Sequence, residues 1–155
     1  LDGADCEGTF GLYGDVDVAL NGYGLLSVVN SEGEFSGGAY PNSAEELITY
    51  DLGTGRALKP ADWLRLGQEA ALYRRLLRRL RAHPYASSLA LGDDGDVGEL
   101  PELGFDSEGV YCLLGSFGAP HAAQRVAVTV PYRELRPLLQ PGSAVARMLQ
   151  RRGLW

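Results

Sequence analysis

Leu66-Gly-Gln-Glu-Ala-Ala-Leu-Tyr-Arg-Arg-Leu-Leu-Arg-Arg-Leu-Arg81 is the segment of this chain whose apolar residues recur most strongly at helical spacing. Leu66, Tyr73, Leu76, Leu77 and Leu80 form one stripe, flanked by Arg74, Arg75, Arg78 and Arg79. His83-Pro84 stops the helix, because proline cannot continue the backbone ladder. A basic amphipathic helix can lie on a membrane or a nucleic acid. More commonly its leucine stripe packs on a sheet while the arginine stems cover the margins, and that is the reading taken here.

The flanking sequence has the other period. Asp15-Val16-Asp17-Val18-Ala19-Leu20 alternates polar and apolar residues, the pattern of a half-buried strand. Gly22-Tyr23-Gly24 breaks it, and Leu25 to Val29 reads as the next strand. Ser31-Glu32-Gly33 signals a turn before a short strand around Phe35, and Leu47 to Leu52 is a fourth strand closed by Gly53-Thr54-Gly55. Strands this close together pair antiparallel as a meander. Ala61-Asp62-Trp63-Leu64 suggests a short helical turn. After the long helix, a brief strand is expected near Leu103 to Phe105, then strands at Val110–Leu114 and Arg125–Val130 with Val126, Val128 and Val130 facing the core. Gly115 to Gln124 is read as a long hairpin loop. Pro137 interrupts a helix begun at Tyr132, and Ser143 is placed to N-cap a last one through Arg152. The order strands, helix, strands, helix predicts an α+β fold: an antiparallel meander with one long amphipathic helix on one face and a shorter C-terminal helix.

At 155 residues the chain fits a single domain spanning 1–155. Its 45% hydrophobic and 22% charged content is that of a soluble globular protein, and no apolar run is long enough to cross a membrane. There is no initiator methionine and no leader pattern, so the targeting signal is expected outside this sequence. The net charge of −6 is unevenly spread. Residues 1–62 hold eleven acids against Arg56 and Lys59, and Asp93 to Glu108 hold seven acids and no base. Spread by folding, these charges make an ordinary solvated surface. Gathered on one face, they would attract a basic partner and repel nucleic acid.

Little in the sequence points to catalysis. His83 and His121 lie outside metal-ligand spacing of each other and of either cysteine, so neither a metal nor a cofactor is expected. Gly115-Ser116-Phe117-Gly118 is one residue short of a nucleophile elbow. Asp93-Asp94-Gly95-Asp96 has adjacent acids and a misplaced glycine for a calcium loop, and reads as a solvated turn. Asp15 and Asp17 share a strand face, as an acid–base pair could, but they also form the polar half of an alternating strand. Cys6 and Cys112 suffice for one disulfide, closing a loop of about 100 residues. Such a bond persists outside the cytoplasm.

Several motifs occur together in order. Leu26-Ser27 is followed by Gly37-Gly38-Ala39-Tyr40-Pro41-Asn42 and Tyr50-Asp51-Leu52-Gly53-Thr54-Gly55. Asp62-Trp63-Leu64 comes next, and Pro131-Tyr132-Arg133-Glu134-Leu135 comes last. Across about residues 14–140 this series resembles a C-terminal domain shared by lysozyme-sensing anti-sigma factors of the RsiV type and an extracytoplasmic peptidoglycan deacetylase. The resemblance implies an extracytoplasmic binding or sensory domain rather than an enzyme, with a basic protein such as lysozyme, or a cell-wall glycan, as ligand. An unrecognised cell-envelope hydrolase is the remaining alternative. Tyr40 stands where the family often has histidine, and Gly115–Gln124 departs from the relatives' aromatic run. Ligand contacts are therefore expected at Tyr40, Asp93, Asp94, Asp96, Ser116, Phe117 and His121. For a glycan, Tyr13, Tyr23, Tyr40 and Trp63 are the candidate stacking platforms. Gly37, Gly38, Pro41, Asn42, Tyr50, Asp51, Gly55, Pro131 and Tyr132 are read as mainly structural, since glycine and proline shape turns before they bind anything.

Overall fold

Tyr23 and Gly24, with φ of 55° and 92°, form the two-residue turn from which the meander grows. Positive φ at both positions matches the right-handed twist of the strands that the turn joins. The computed structural model describes residues 11–35, 42–91, 99–120 and 123–155. Among these, β1 (Gly11–Gly22), β2 (Leu25–Phe35), β3 (Asn42–Asp51) and the two-residue β4 (Arg56–Ala57) form a four-stranded antiparallel sheet in sequential order. A second antiparallel sheet comprises β5 (Gly104–Phe105), β6 (Gly109–Leu113) and β7 (Ala127–Pro131). Helices α1 (Glu69–Arg81), α2 (Tyr132–Leu135) and α3 (Ala144–Arg151) complete an α+β fold. The strands form two sheets where the sequence suggested one. The long helix covers β7 of the second sheet.

Three local expectations are corrected. The Ser31-Glu32-Gly33 turn does not form, and β2 runs through it to Phe35. Gly33 is held in the strand by its cross-strand neighbour Tyr13, whose ring lies where a Cβ at Gly33 would stand. Leu66 is fully exposed, because Gly67 turns the chain at φ 77° and the helix begins at Glu69. Leu72 is buried in its stead. Val16 and Val18 do not face a core: each is 58% exposed. They share the outer side of the meander with Val28 and Ile48, while Leu25, Ser27, Thr49 and Asp51 alternate inward and are buried.

The main core lies between α1, the second sheet and the C-terminal segment. Leu72, Leu76 and Leu80 of α1 join Val130, Leu135, Leu139, Met148 and Leu149, all buried. Trp63 meets Phe105 edge to face, with ring centroids 5.2 Å apart. Ser143 caps α3, its Oγ accepting the Ala146 N–H at 3.2 Å, and a single 3₁₀ turn at Arg136–Leu138 accommodates Pro137. A smaller cluster of Leu47, Tyr111 and Leu113 seats the inner face of the meander on β6. Ser27 Oγ ties the sheets together, accepting from Thr49 Oγ1 and from the Phe105 N–H, each at 2.9 Å and wholly buried.

Candidate functional site

β3 has one edge that the described strands cover only in part. Its residues pair with β2 along the whole strand, but β4 covers the other edge only at Tyr50 and Asp51. Between Asn42 and Leu47 that edge meets no strand among the described residues. It faces instead the segment after β6, where Leu114–Phe117 makes one 3₁₀ turn closed by Gly118 at φ 71°. The gap between them is a cleft of about 450 Å³, within the range of small ligand sites. Leu47 and Leu113 form its apolar floor, and Glu45, Glu102 and Ser116 its polar walls.

Both carboxylates are held in place. Glu102 Oε2 accepts the edge-facing N–H of Leu47 at 3.1 Å, which fixes the carboxylate and satisfies an otherwise free strand amide. Glu45, whose side chain is 11% exposed, pairs with Nε of Arg125, itself 64% exposed. The cleft is thus acidic, with Arg125 at its rim. Asp15, Asp17, Glu32, Glu34 and Glu46 belong to the same end of the three long strands, Asp15 and Asp17 on the side of the sheet that carries Glu45 and the other three on the opposite side. The arginines lie mainly on α1 and α3. Nearby, Tyr111 has its phenol pushed up to about 12, first by burial and then by the charges of Asp106 and Asp17.

Of the expected ligand contacts, Ser116 lines this cleft and is exposed. Phe117 is a correction: it is 8% exposed and belongs to the core, as do Leu114 just before the loop and Ala119 and Ala123 within it. Gly115–Gln124 is therefore anchored by apolar side chains, and a long loop without a visible period gave no sign of that. Tyr40, Asp93, Asp94, Asp96 and His121 lie outside the described residues, as do Gly37, Gly38 and Pro41. Trp63 is buried and offers no stacking face, whereas Tyr13 and Tyr23 are about half exposed. The disulfide is also corrected. Cys112 is a free, wholly buried thiol, Cys6 lies outside the described residues, and no disulfide is present among those described. Burial pushes that thiol from 9.0 up to about 12. Glu45 and Glu102 were missed by sequence reading. Their 57-residue separation hides the pairing, and only the alternation placing Glu45 and Leu47 on one face of β3 hinted at it.

The remaining motif residues hold the fold. Asp51 closes its own turn, Oδ1 accepting from the Gly53 N–H at 2.8 Å while its carbonyl accepts from Thr54 and Gly55. Oδ2 receives Arg147 of α3 at 3.2 Å. Gly55 has φ 70°, which favours glycine. Tyr50 pairs across the outer face with Leu26 and Ala57, and the exposed Asn42 opens β3 opposite Glu34. Pro131 ends β7 and N-caps α2. Tyr132 donates its hydroxyl to the Asp106 carbonyl at 2.7 Å under the guanidinium of Arg152, and burial raises its pKa well above the ordinary phenol value. Glu134 pairs with Arg79 of α1 at 2.6 Å.

No family model and no curated protein matches the chain. Solved structures do. A DUF3298 family protein from Pseudomonas aeruginosa PAO1 superposes with a TM-score of 0.67 at 21% identity, over 85% of this chain. A member of the same family from Bacteroides fragilis gives 0.70 at 22% identity, over 91%. The chain has the DUF3298 fold. It spans 63% and 58% of those two proteins, so the fold is one part of each. Among the described residues, no helix is long and apolar enough to cross a membrane.

Proposed function

We propose that this chain is a non-catalytic, extracytoplasmic binding domain that recognises a basic protein, with lysozyme as the first candidate. The observation that carries the reading is the acidic cleft at the free edge of β3. An arginine or lysine entering it would lay its aliphatic stem on Leu47 and Leu113 and bring its charge to Glu45 and Glu102. The motif series of the sequence supports the same class, and the acids at this end of the meander supply long-range attraction.

Arg125 has a defined part in this reading. As the present counter-ion of Glu45, it is what an incoming guanidinium displaces. Binding to immobilised hen lysozyme is therefore expected to weaken in Glu102→Gln, by about 3- to 30-fold. It is expected to tighten in Arg125→Ala, which removes the competitor. Association should slow steeply between low and physiological salt. Lysozyme binding that is indifferent to both substitutions and to salt would count against the cleft. Turnover of a cell-wall substrate, abolished by one carboxylate substitution, would count against the non-catalytic reading.

A further inference from the structure

β1 presents an apolar surface that nothing in the described structure covers. Its alternation of aspartate and valine is the ordinary signature of a strand with valines inward, yet here Val16 and Val18 point to solvent. Leu12, at 86% exposed, extends the row at the start of the strand. Val18 continues across the sheet into the half-buried Val28 and Ile48. On the opposite side of β1, Asp15 and Asp17 are exposed, with Asp17 near Tyr111.

The strand is also an edge. Among the described residues β1 pairs only with β2, and the Val16 N–H donates to Oδ1 of its own neighbour Asp15 at 2.9 Å. That amide therefore turns away from β2. By the alternation of antiparallel backbones, the amides and carbonyls of Leu12, Gly14 and Val18 turn the same way. Gly14 presents no side chain here, and a hollow of about 530 Å³ lies beside it across β1, β2 and β3, between Leu12, Glu32 and Ala44.

We infer that the free edge of β1 accepts an extended segment of a partner protein as a fifth strand, and that basic and apolar residues alternate in that segment. Its apolar side chains would continue the row of Val16 and Val18, and its basic ones would lie opposite Asp15 and Asp17. Backbone pairing gives such an addition its affinity, and the alternate side chains give its specificity. Charge decides against a second copy of this chain. Registers that set Val16 of one copy against Val16 or Val18 of another also set Asp15 against Asp17, or Asp17 against itself. Like charges directly opposed destabilise a strand pair. This surface is separate from the β3 cleft and does not depend on the function proposed for it.

The test is a titration of the ¹⁵N-labelled chain with an acetylated, amidated octapeptide alternating valine and lysine. The amide signals of Gly14, Val16 and Val18 are expected to shift, and exchange of the Val16 amide to slow. Asp15→Asn combined with Asp17→Asn is expected to weaken binding about tenfold. The same peptide N-methylated on its valines cannot pair with the edge, and no shift is expected from it while the protein stays untouched. Three results would overturn the inference: no shift in β1 at millimolar peptide, equal binding by the N-methylated peptide, or shifts confined to β3. Concentration-dependent dimerisation removed by Val16→Lys would also overturn it, by making a second copy the occupant.

Discussion

Ser27 illustrates how much one hydroxyl can carry. It accepts hydrogen bonds from Thr49 and from the Phe105 amide, and all three groups are out of water. Ser27→Ala strands a buried amide and a buried hydroxyl together, so a loss of about 1–3 kcal/mol is expected in urea unfolding. Combining it with Thr49→Val should cost less than the two single effects added, because the second change removes one stranded donor. Cys112 and Tyr111 make a second prediction, on pH. Each has a folded-state pKa raised to about 12, so the unfolded chain releases these protons first as pH rises. Their contribution to stability is complete below about pH 9 and is lost progressively between there and pH 12. Chemical denaturation across that window should show the decline, and Cys112→Ala should flatten its lower part. A thiol reagent at neutral pH is expected to label Cys112 only once the protein unfolds.

At the scale of elements, the helix and the antiparallel order of the meander were legible in the sequence, and the extent of its strands and the face they cover were not. Leu76, Leu77 and Leu80 are buried as their spacing requires, and Leu76→Ala is expected to cost about 2–5 kcal/mol by thermal unfolding. Ser143 caps α3 as its position suggests, and Ser143→Ala is expected to cost about 1 kcal/mol. The failures have physical causes. The Ser31-Glu32-Gly33 turn signal was overridden by tertiary packing, since the Tyr13 ring replaces the side chain that Gly33 lacks. The valines of β1 misled because alternation reports that a strand has two unlike faces. It does not report which face the rest of the molecule covers. The division into two sheets was illegible because it depends on contacts such as Ser27 with Phe105, 78 residues apart. Of the cleft, only Ser116 had been singled out, since an acid on β3 and an acid before β5 share no local pattern.

Over the whole molecule, charge and topology act together. The acids of β1, β2 and β3 converge at one end of the meander, where among the described residues two sheet edges carry no further strand, while most arginines belong to α1 and α3. A fold held mainly by its second sheet and helices can keep the far end of its first sheet free for contact. Substitutions at Glu45, Glu102 and Arg125 are accordingly expected to move affinity much more than thermal stability. Exchanging Gly115–Gln124 for a relative's loop should preserve the fold only if Phe117, Ala119 and Ala123 are kept apolar. The most direct measurement is hydrogen exchange of the isolated chain with and without hen lysozyme, read residue by residue. The account predicts new protection centred on Ser43 to Leu47 and on Gly115–Ser116, diminished at high salt and in Glu102→Gln. Protection elsewhere with that cleft unchanged, or none at saturating lysozyme, would contradict it.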